Sequence, residues 1–206
     1  MKLQINIEEL DWKKVDGMMP AIVQDYMSRQ VLMLGYMSRD ALEKTLQTGK
    51  ITFFSRTRKS LWTKGEASGN FLGLKSIFID CDKDTLLVLA DPIGPTCHMG
   101  TVSCFEGDTI PATSFLNELA ALIHDRNITR PKDSYTTSLF EAGKSRVAQK
   151  VGEEGVELAL AHMEGEKEHI VNEAADLIYH SIVLLEHAGI PFEDVCQTLK
   201  NRHTKK

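Results

Sequence analysis

The chain has 206 residues, enough for one large domain or two small ones at roughly 100–200 residues per domain. Hydrophobic residues make up 42% and charged residues 26%, which is ordinary globular usage and excludes a disordered or fibrous chain. The formal net charge of −5 argues against a general nucleic-acid or membrane-surface binder, which needs a basic face. It leaves room for a small phosphorylated substrate whose charge is screened by metal ions.

At the N-terminus, Met1-Lys2-Leu3-Gln4-Ile5-Asn6-Ile7-Glu8-Glu9 carries acids where a signal peptide needs an apolar run. No stretch approaches the roughly 18–20 apolar residues of a membrane span. The expected location is therefore the cytoplasm, where thiols stay reduced. The four cysteines then read as metal ligands, nucleophiles or inert core residues rather than disulfides. Residues 21–26 and 30–36 are β-type runs around Met27-Ser28-Arg29, a hairpin pattern. Residues 38–46 read as a short helix, with Ser38 as its cap and Gly49 after its end. Further strands are expected at 51–55, 72–80 and 85–90. From 115 onward the pattern turns helical: Phe115, Leu116, Leu119, Leu122 and Ile123 first, then 145–163 and 166–188 on either side of Gly165. A last short helix follows over 192–202, with Pro191 at its entry.

The two halves also differ in chemistry. Cys81, Cys97 and Cys104 lie in the first half, and six of the seven histidines lie in the second. Residues 1–110 carry 13 Lys/Arg against 14 Asp/Glu; residues 111–206 carry 11 against 15. We expect two domains: an α+β domain with mostly antiparallel strands over 1–108, and an all-α helical bundle over 113–206. The join falls at Gly107-Asp108-Thr109-Ile110-Pro111, a turn-prone segment.

In the first half, Asp80-Cys81-Asp82-Lys83-Asp84 is the most informative pentapeptide. In an extended strand the three aspartates share one face, about 6.8 Å apart, and Cys81 points to the other. Crowded carboxylates repel unless a cation sits among them, and hard oxygen ligands suit Mg²⁺. An acidic turn after Ile77-Phe78-Ile79 accounts for the same residues. Cys97-His98-Met99-Gly100-Thr101-Val102-Ser103-Cys104 adds two thiols that can converge across a loop. With Cys81 they make three thiolates and leave the fourth position of a tetrahedral zinc open, with His98 a candidate general base or proton shuttle. Three reduced core cysteines are the plainer alternative. The Cys-x-x-Cys and His-x-Glu pattern of a nucleobase deaminase is absent. Ser55-Arg56-Thr57-Arg58-Lys59 and Leu61-Trp62-Thr63-Lys64-Gly65-Glu66-Ala67-Ser68-Gly69-Asn70 supply cations, hydroxyls and an aromatic ring suited to phosphate and base, or form a solvated loop.

In the second half, Lys150, Glu153, Glu154 and Glu157 crowd one helix face at offsets of 3, 4 and 7. Glu173, Asp176 and His180 share a face of the next helix, in apolar surroundings where carboxylates need cationic partners. Two such helices can hold Mg²⁺ that binds a polyphosphate; a solvated acidic face is the alternative for the first. Tyr135 either contacts substrate or starts a helix. The histidines at 124, 162, 169, 187 and 203 show no ligand-like spacing.

On these motifs, with Ser134-Tyr135-Thr136, Lys150-Val151-Gly152-Glu153-Glu154 and Glu173-Ala174-Ala175-Asp176, the chain resembles the bifunctional histidine-biosynthesis family. In that family a phosphoribosyl-AMP cyclohydrolase is fused to a phosphoribosyl-ATP pyrophosphatase. The resemblance covers about residues 18–107 and 113–203. It implies that Asp80, Asp82 and Asp84 bind Mg²⁺, and that Cys81, Cys97 and Cys104 bind zinc, with Cys81 coming from the second subunit of a homodimer. It also implies that Glu153, Glu154, Glu157, Glu173 and Asp176 match the acidic helices of all-α nucleotide pyrophosphohydrolases. The family commonly has Thr where this chain has Met99. The expected chemistry is release of pyrophosphate from phosphoribosyl-ATP by the C-terminal domain. The N-terminal domain then opens the adenine ring of phosphoribosyl-AMP at N1–C6 by a zinc-bound hydroxide. Candidate substrate contacts are Arg56, Arg58, Trp62, Lys64, Ser68 and Tyr135; Lys150 adds charge stabilisation. Two other readings stand beside this one: a general nucleotide pyrophosphatase, and a zinc-dependent dimerising regulator that binds nucleotide without turnover.

Overall fold

The computed structural model describes residues 5–105, 107 and 110–204. The chain divides into two compact units, Met1–Ser114 and Phe115–Lys206. Of the expected join, Asp108 and Thr109 lie outside the described residues.

The first unit is α+β. After a single 3₁₀ turn at Ile7–Glu9, strands β1 (Met19–Asp25) and β2 (Val31–Met37) form the expected hairpin. The turn is specified by Asp25, whose Oδ1 accepts from the backbone N–H of both Met27 and Ser28 at 2.7 Å, an Asx turn. Helix α1 (Arg39–Thr48) starts where Ser38 accepts from the Ala41 N–H and ends at left-handed Gly49. Strands β3 (Thr52–Ser55) and β4 (Ser60–Thr63) pair with each other; β4 is an unexpected strand inside the stretch read as a basic loop. Strands β5 (Leu72–Ile79) and β6 (Leu86–Pro92) complete a four-stranded sheet of order β2-β1-β6-β5. All its pairs are antiparallel except β1 with β6.

The core is built from Met19, Leu32, Met37, Leu42, Ile51, Phe53 and Leu86 with their neighbours. Thr45 in α1 joins helix to strand: its hydroxyl donates to the Ala41 carbonyl at 2.8 Å and accepts from the Thr52 N–H at 2.9 Å. Gly35 in β2 is demanded by Phe53, because a Cβ there would lie 2.4 Å from the Phe53 ring.

The second unit is all α. It comprises α2 (Phe115–Thr129), α3 (Tyr135–Ala142), α4 (Lys144–Glu164), α5 (Lys167–His187) and α6 (Phe192–His203). Tyr135 does begin a helix, capped by Ser134, which accepts from the Thr137 N–H. Helices α4 and α5 are joined through left-handed Gly165. Ile123, Leu139, Phe140, Val147, Ile182 and Val183 fill the centre. Among the described residues no helix is long and apolar enough to cross a membrane.

Replacing Gly35 with Ala forces the Phe53 ring to move inside a filled core. Overpacking of this kind costs about 1–3 kcal/mol. The expected outcome is a lower urea midpoint with an unchanged slope; an unchanged midpoint would show that Phe53 has room to give way.

Candidate functional site

The acidic pentapeptide is a turn, not a strand. Strand β5 ends at Ile79, and Asp80 closes the connection to β6: its Oδ1 accepts from the Asp84 N–H at 2.9 Å and the Thr85 N–H at 3.1 Å. Lys83 takes a left-handed φ of 62° to complete it. Side chains 80–84 therefore do not alternate between two faces, and the roughly 6.8 Å spacing of an extended strand does not apply to the aspartates. The turn brings carboxylate oxygens of Asp80, Asp82 and Asp84 within 4.8 Å of one another, a group able to hold a metal ion. Cys81 sits exposed in the same turn. Among the described residues it joins no group of three metal-ligating side chains with Cys97 and Cys104.

Lys14, which the sequence reading passed over, forms ion pairs with both Asp82 and Asp84, the latter at 2.6 Å. It holds both carboxyls below the usual carboxylate range, and its own pKa is raised by them.

The cysteine loop is a tight hairpin. The Cys97 N–H donates to the Thr101 carbonyl at 3.0 Å, and Gly100 turns the chain at a φ of 83°. Its far end is fixed to β2, with the Cys104 N–H on the Leu32 carbonyl and the Ser103 hydroxyl on the Val31 carbonyl. The Cys97 thiol is lowered, first by the Met99 N–H and then by the Thr101 hydroxyl. The Cys104 thiol is raised, first by desolvation and then by neighbouring Cys97. Exposed His98 lies beside them, its Nδ1 3.8 Å from the Cys97 sulfur. Thr96, at 1% exposure, has a hydroxyl oxygen with no partner.

Ser55, Thr57, Arg58 and Trp62 line an open cleft of about 290 Å³. The other candidate contacts scatter. Arg56 stacks over the Tyr36 ring at 4.1 Å, Lys64 is buried at 9% exposure, and Ser68 lies exposed in the following turn.

In the helical unit, carboxylate oxygens of Glu154 and Glu157 on α4 and Glu173 on α5 converge within 4.8 Å, forming a second such group. Glu154 is buried at 4% exposure, yet its pKa is lowered, first by its hydrogen bond to Lys150. Glu157 is raised, first by desolvation and then by the Glu154 charge. Lys150 also reaches Glu153 at 3.2 Å, so its charge is spent on two glutamates of its own helix. The apolar setting expected for Asp176 is absent: Asp176 is exposed and lies outside the converging group, while Glu173 is half-buried.

Two histidines lie against these glutamates: His180, already grouped with Glu173 by its spacing, and His169, whose spacing showed no ligand-like pattern. His169 sits between Glu164 (2.9 Å) and Glu173 (3.3 Å). Buried His180 approaches Glu154 at 3.7 Å and packs edge-on against the rings of Tyr179 and Tyr135. The His169–Glu173 pair is an i,i+4 helix contact and was visible in the sequence; Lys14, 68 residues before Asp82, was not.

A family model described as phosphoribosyl-AMP cyclohydrolase matches residues 33–106, and one described as phosphoribosyl-ATP pyrophosphohydrolase matches residues 116–203. The chain is 57% identical over 195 residues to the histidine biosynthesis bifunctional protein HisIE of Escherichia coli K12, covering 95% of this chain and 96% of the relative. The chain belongs to the bifunctional HisIE family. To the HisIE protein of Vibrio cholerae it is 54% identical over 198 residues, covering 95% and 94%. To that of Photobacterium profundum it is 53% identical over 204 residues, covering 97% and 99%. Like other members of the HisIE family, the chain is a histidine-biosynthesis hydrolase with two activities. The α+β unit is the phosphoribosyl-AMP cyclohydrolase and the helical unit the phosphoribosyl-ATP pyrophosphohydrolase.

The Lys150–Glu154 pair is enclosed, so removing one partner strands a buried charge. Lys150→Met should destabilise the fold by on the order of 3 kcal/mol at neutral pH. A carboxyl whose folded pKa is depressed stabilises the fold above its ordinary value of 4.5 and loses that contribution as pH falls through the folded pKa. The deficit of Lys150→Met should therefore shrink in acid, and adding Glu154→Gln should recover most of it. Chemical unfolding across pH 3–8 reads both effects.

Proposed function

We propose that the two activities rest on separate metal groups, one in each unit. Asp80, Asp82 and Asp84 would hold one Mg²⁺. Glu154, Glu157 and Glu173 would hold Mg²⁺ in the helical unit, with Asp176 completing the set from the next turn of α5. Cys97 and Cys104 would hold zinc together with Cys81 of a second copy, which makes the working enzyme a homodimer. The observation that carries this reading is the convergence of two independent carboxylate triads, each with oxygens inside 4.8 Å. The elevated Glu157 carboxyl signals like-charge repulsion that a cation relieves. The lowered Cys97 thiol, which the Met99 N–H and the Thr101 hydroxyl favour, fits a thiolate ligand held by surrounding hydrogen bonds. When bound, zinc supplies a Lewis acid and a water of lowered pKa, and Mg²⁺ supplies charge neutralisation for phosphate oxygens.

The chain's own groups do the remaining work. In the cyclohydrolase unit, the Trp62 ring offers a flat face for the adenine. Arg58 and the hydroxyls of Ser55 and Thr57 bind phosphate oxygens at the rim of the same cleft. His98, exposed beside Cys97, passes a proton to N1 as the N1–C6 bond breaks. In the pyrophosphohydrolase unit, Glu154 stays ionised because Lys150 holds it so, and Glu153 is fixed by the same ammonium. One of this glutamate pair orients the water that attacks the phosphoanhydride. Tyr135, more than half exposed at the start of α3 and stacked on Tyr179, presents its face to the nucleotide.

Cys97→Ser should lower ring opening by more than about 100-fold, since even residues that merely orient a metal's ligands cost 10–100-fold. It should leave pyrophosphate release intact. Glu157→Gln should do the reverse. Pyrophosphate release is followed from phosphoribosyl-ATP and ring opening separately from supplied phosphoribosyl-AMP, and loss of both activities in either variant would contradict two separate sites.

A further inference from the structure

We propose that Lys14 is a tethered cation that occupies the acidic turn in the metal-free enzyme and competes with the divalent ion for it. The inference rests on the assignment of Asp80, Asp82 and Asp84 as a metal group. The segment that carries Lys14 is stitched to that turn. The Asp11 N–H donates to the Lys83 carbonyl at 2.8 Å, Lys83 Nζ pairs with Glu9 at 3.7 Å, and the Lys14 N–H donates to Asp11 Oδ1 at 3.0 Å. This places the Lys14 ammonium against Asp82 and Asp84 together, two of the three carboxylates whose oxygens converge.

An ammonium is a compact point charge and satisfies carboxylate oxygens much as a small cation does. Both occupants want the same lone pairs, so they cannot share them fully. The Lys14 and Asp82 side chains are 45% and 57% exposed, so the ion pair is open to solvent and exchanges at little cost. Its anchored backbone keeps the displaced ammonium close enough to return. Lys14 lies outside the stretch matched by the cyclohydrolase family model, which starts at residue 33, while the aspartates it pairs with lie within it. A binding site whose competent state is only partly populated shows an apparent affinity reduced by that fraction. Lys14 thus sets the divalent-ion concentration at which the turn loads, and prevents three carboxylates from facing one another bare when it is empty.

The test is calorimetric titration of the zinc-loaded full chain with Mn²⁺, in a Glu157→Gln/Glu173→Gln background that silences the helical group. Lys14→Met should bind Mn²⁺ about three- to tenfold more tightly, the range expected for removing one solvated competing charge. Lys14→Arg should stay near the unsubstituted chain. In thermal unfolding, metal-free Lys14→Met should melt below the unsubstituted chain, and saturating Mn²⁺ should close that gap. Unchanged or weaker Mn²⁺ binding by Lys14→Met, with a gap that persists in Mn²⁺, would make Lys14 a scaffold residue and overturn the inference. Asp82→Asn/Asp84→Asn provides the separate control. If that variant binds Mn²⁺ as well as its background does, the metal assignment of the turn itself fails.

Discussion

Carboxylates gathered within reach of a single ion repel one another, and the structure answers that repulsion with positive charge in both units. Lys14 lies against Asp82 and Asp84, and Lys150 lies against Glu153 and Glu154. In the two cases the solvent setting differs. The aspartate turn is open to water, where an ion pair contributes little and exchanges freely. Glu154 is enclosed, where an unpaired charge is costly and the pairing becomes part of the fold. The same electrostatic constraint therefore produces a loosely held site in one unit and a preset one in the other.

The remainder of the fold serves to bring these groups together. The β5–β6 hairpin exists to turn at Asp80, whose side chain replaces the missing ladder bonds. The cysteine hairpin is pinned to β2 through Ser103 and Cys104. In the helical unit, Gly165 reverses the chain so that α4 and α5 lie against each other, and the Glu154, Glu157 and Glu173 oxygens meet across that contact. Under the proposed metal assignment, a net charge of −5 is compatible with anionic nucleotides, because part of it belongs to carboxylates that bound cations would neutralise.

The helices were readable because their stop and start signals are local: Ser38 and Gly49 around α1, Ser134 before α3, Gly165 between α4 and α5. Strand β4 escaped notice because Arg56 to Lys59 and the glycines that follow look like loop, while the pairing of Phe53 with Trp62 is made across the hairpin. Face alternation over residues 80–84 requires β5 to run on through Asp84, whereas the hydrogen bonds of the Asp80 side chain end it at Ile79. At Asp176 the helix face was misjudged, since apolar neighbours in sequence point elsewhere on the helix surface. The contact of Lys14 with Asp82 depends on how the N-terminal segment lies over the hairpin, which no local pattern encodes.

The central claim is that each unit holds its own cation group. Counting bound metal after equilibrium dialysis against Mn²⁺, with zinc measured in parallel by mass spectrometry, tests it directly. The account predicts one zinc per chain and Mn²⁺ in two separable classes, one lost in Asp80→Asn/Asp84→Asn and the other in Glu157→Gln/Glu173→Gln. A single Mn²⁺ class abolished by either pair of substitutions, or Mn²⁺ binding indifferent to both, would contradict it.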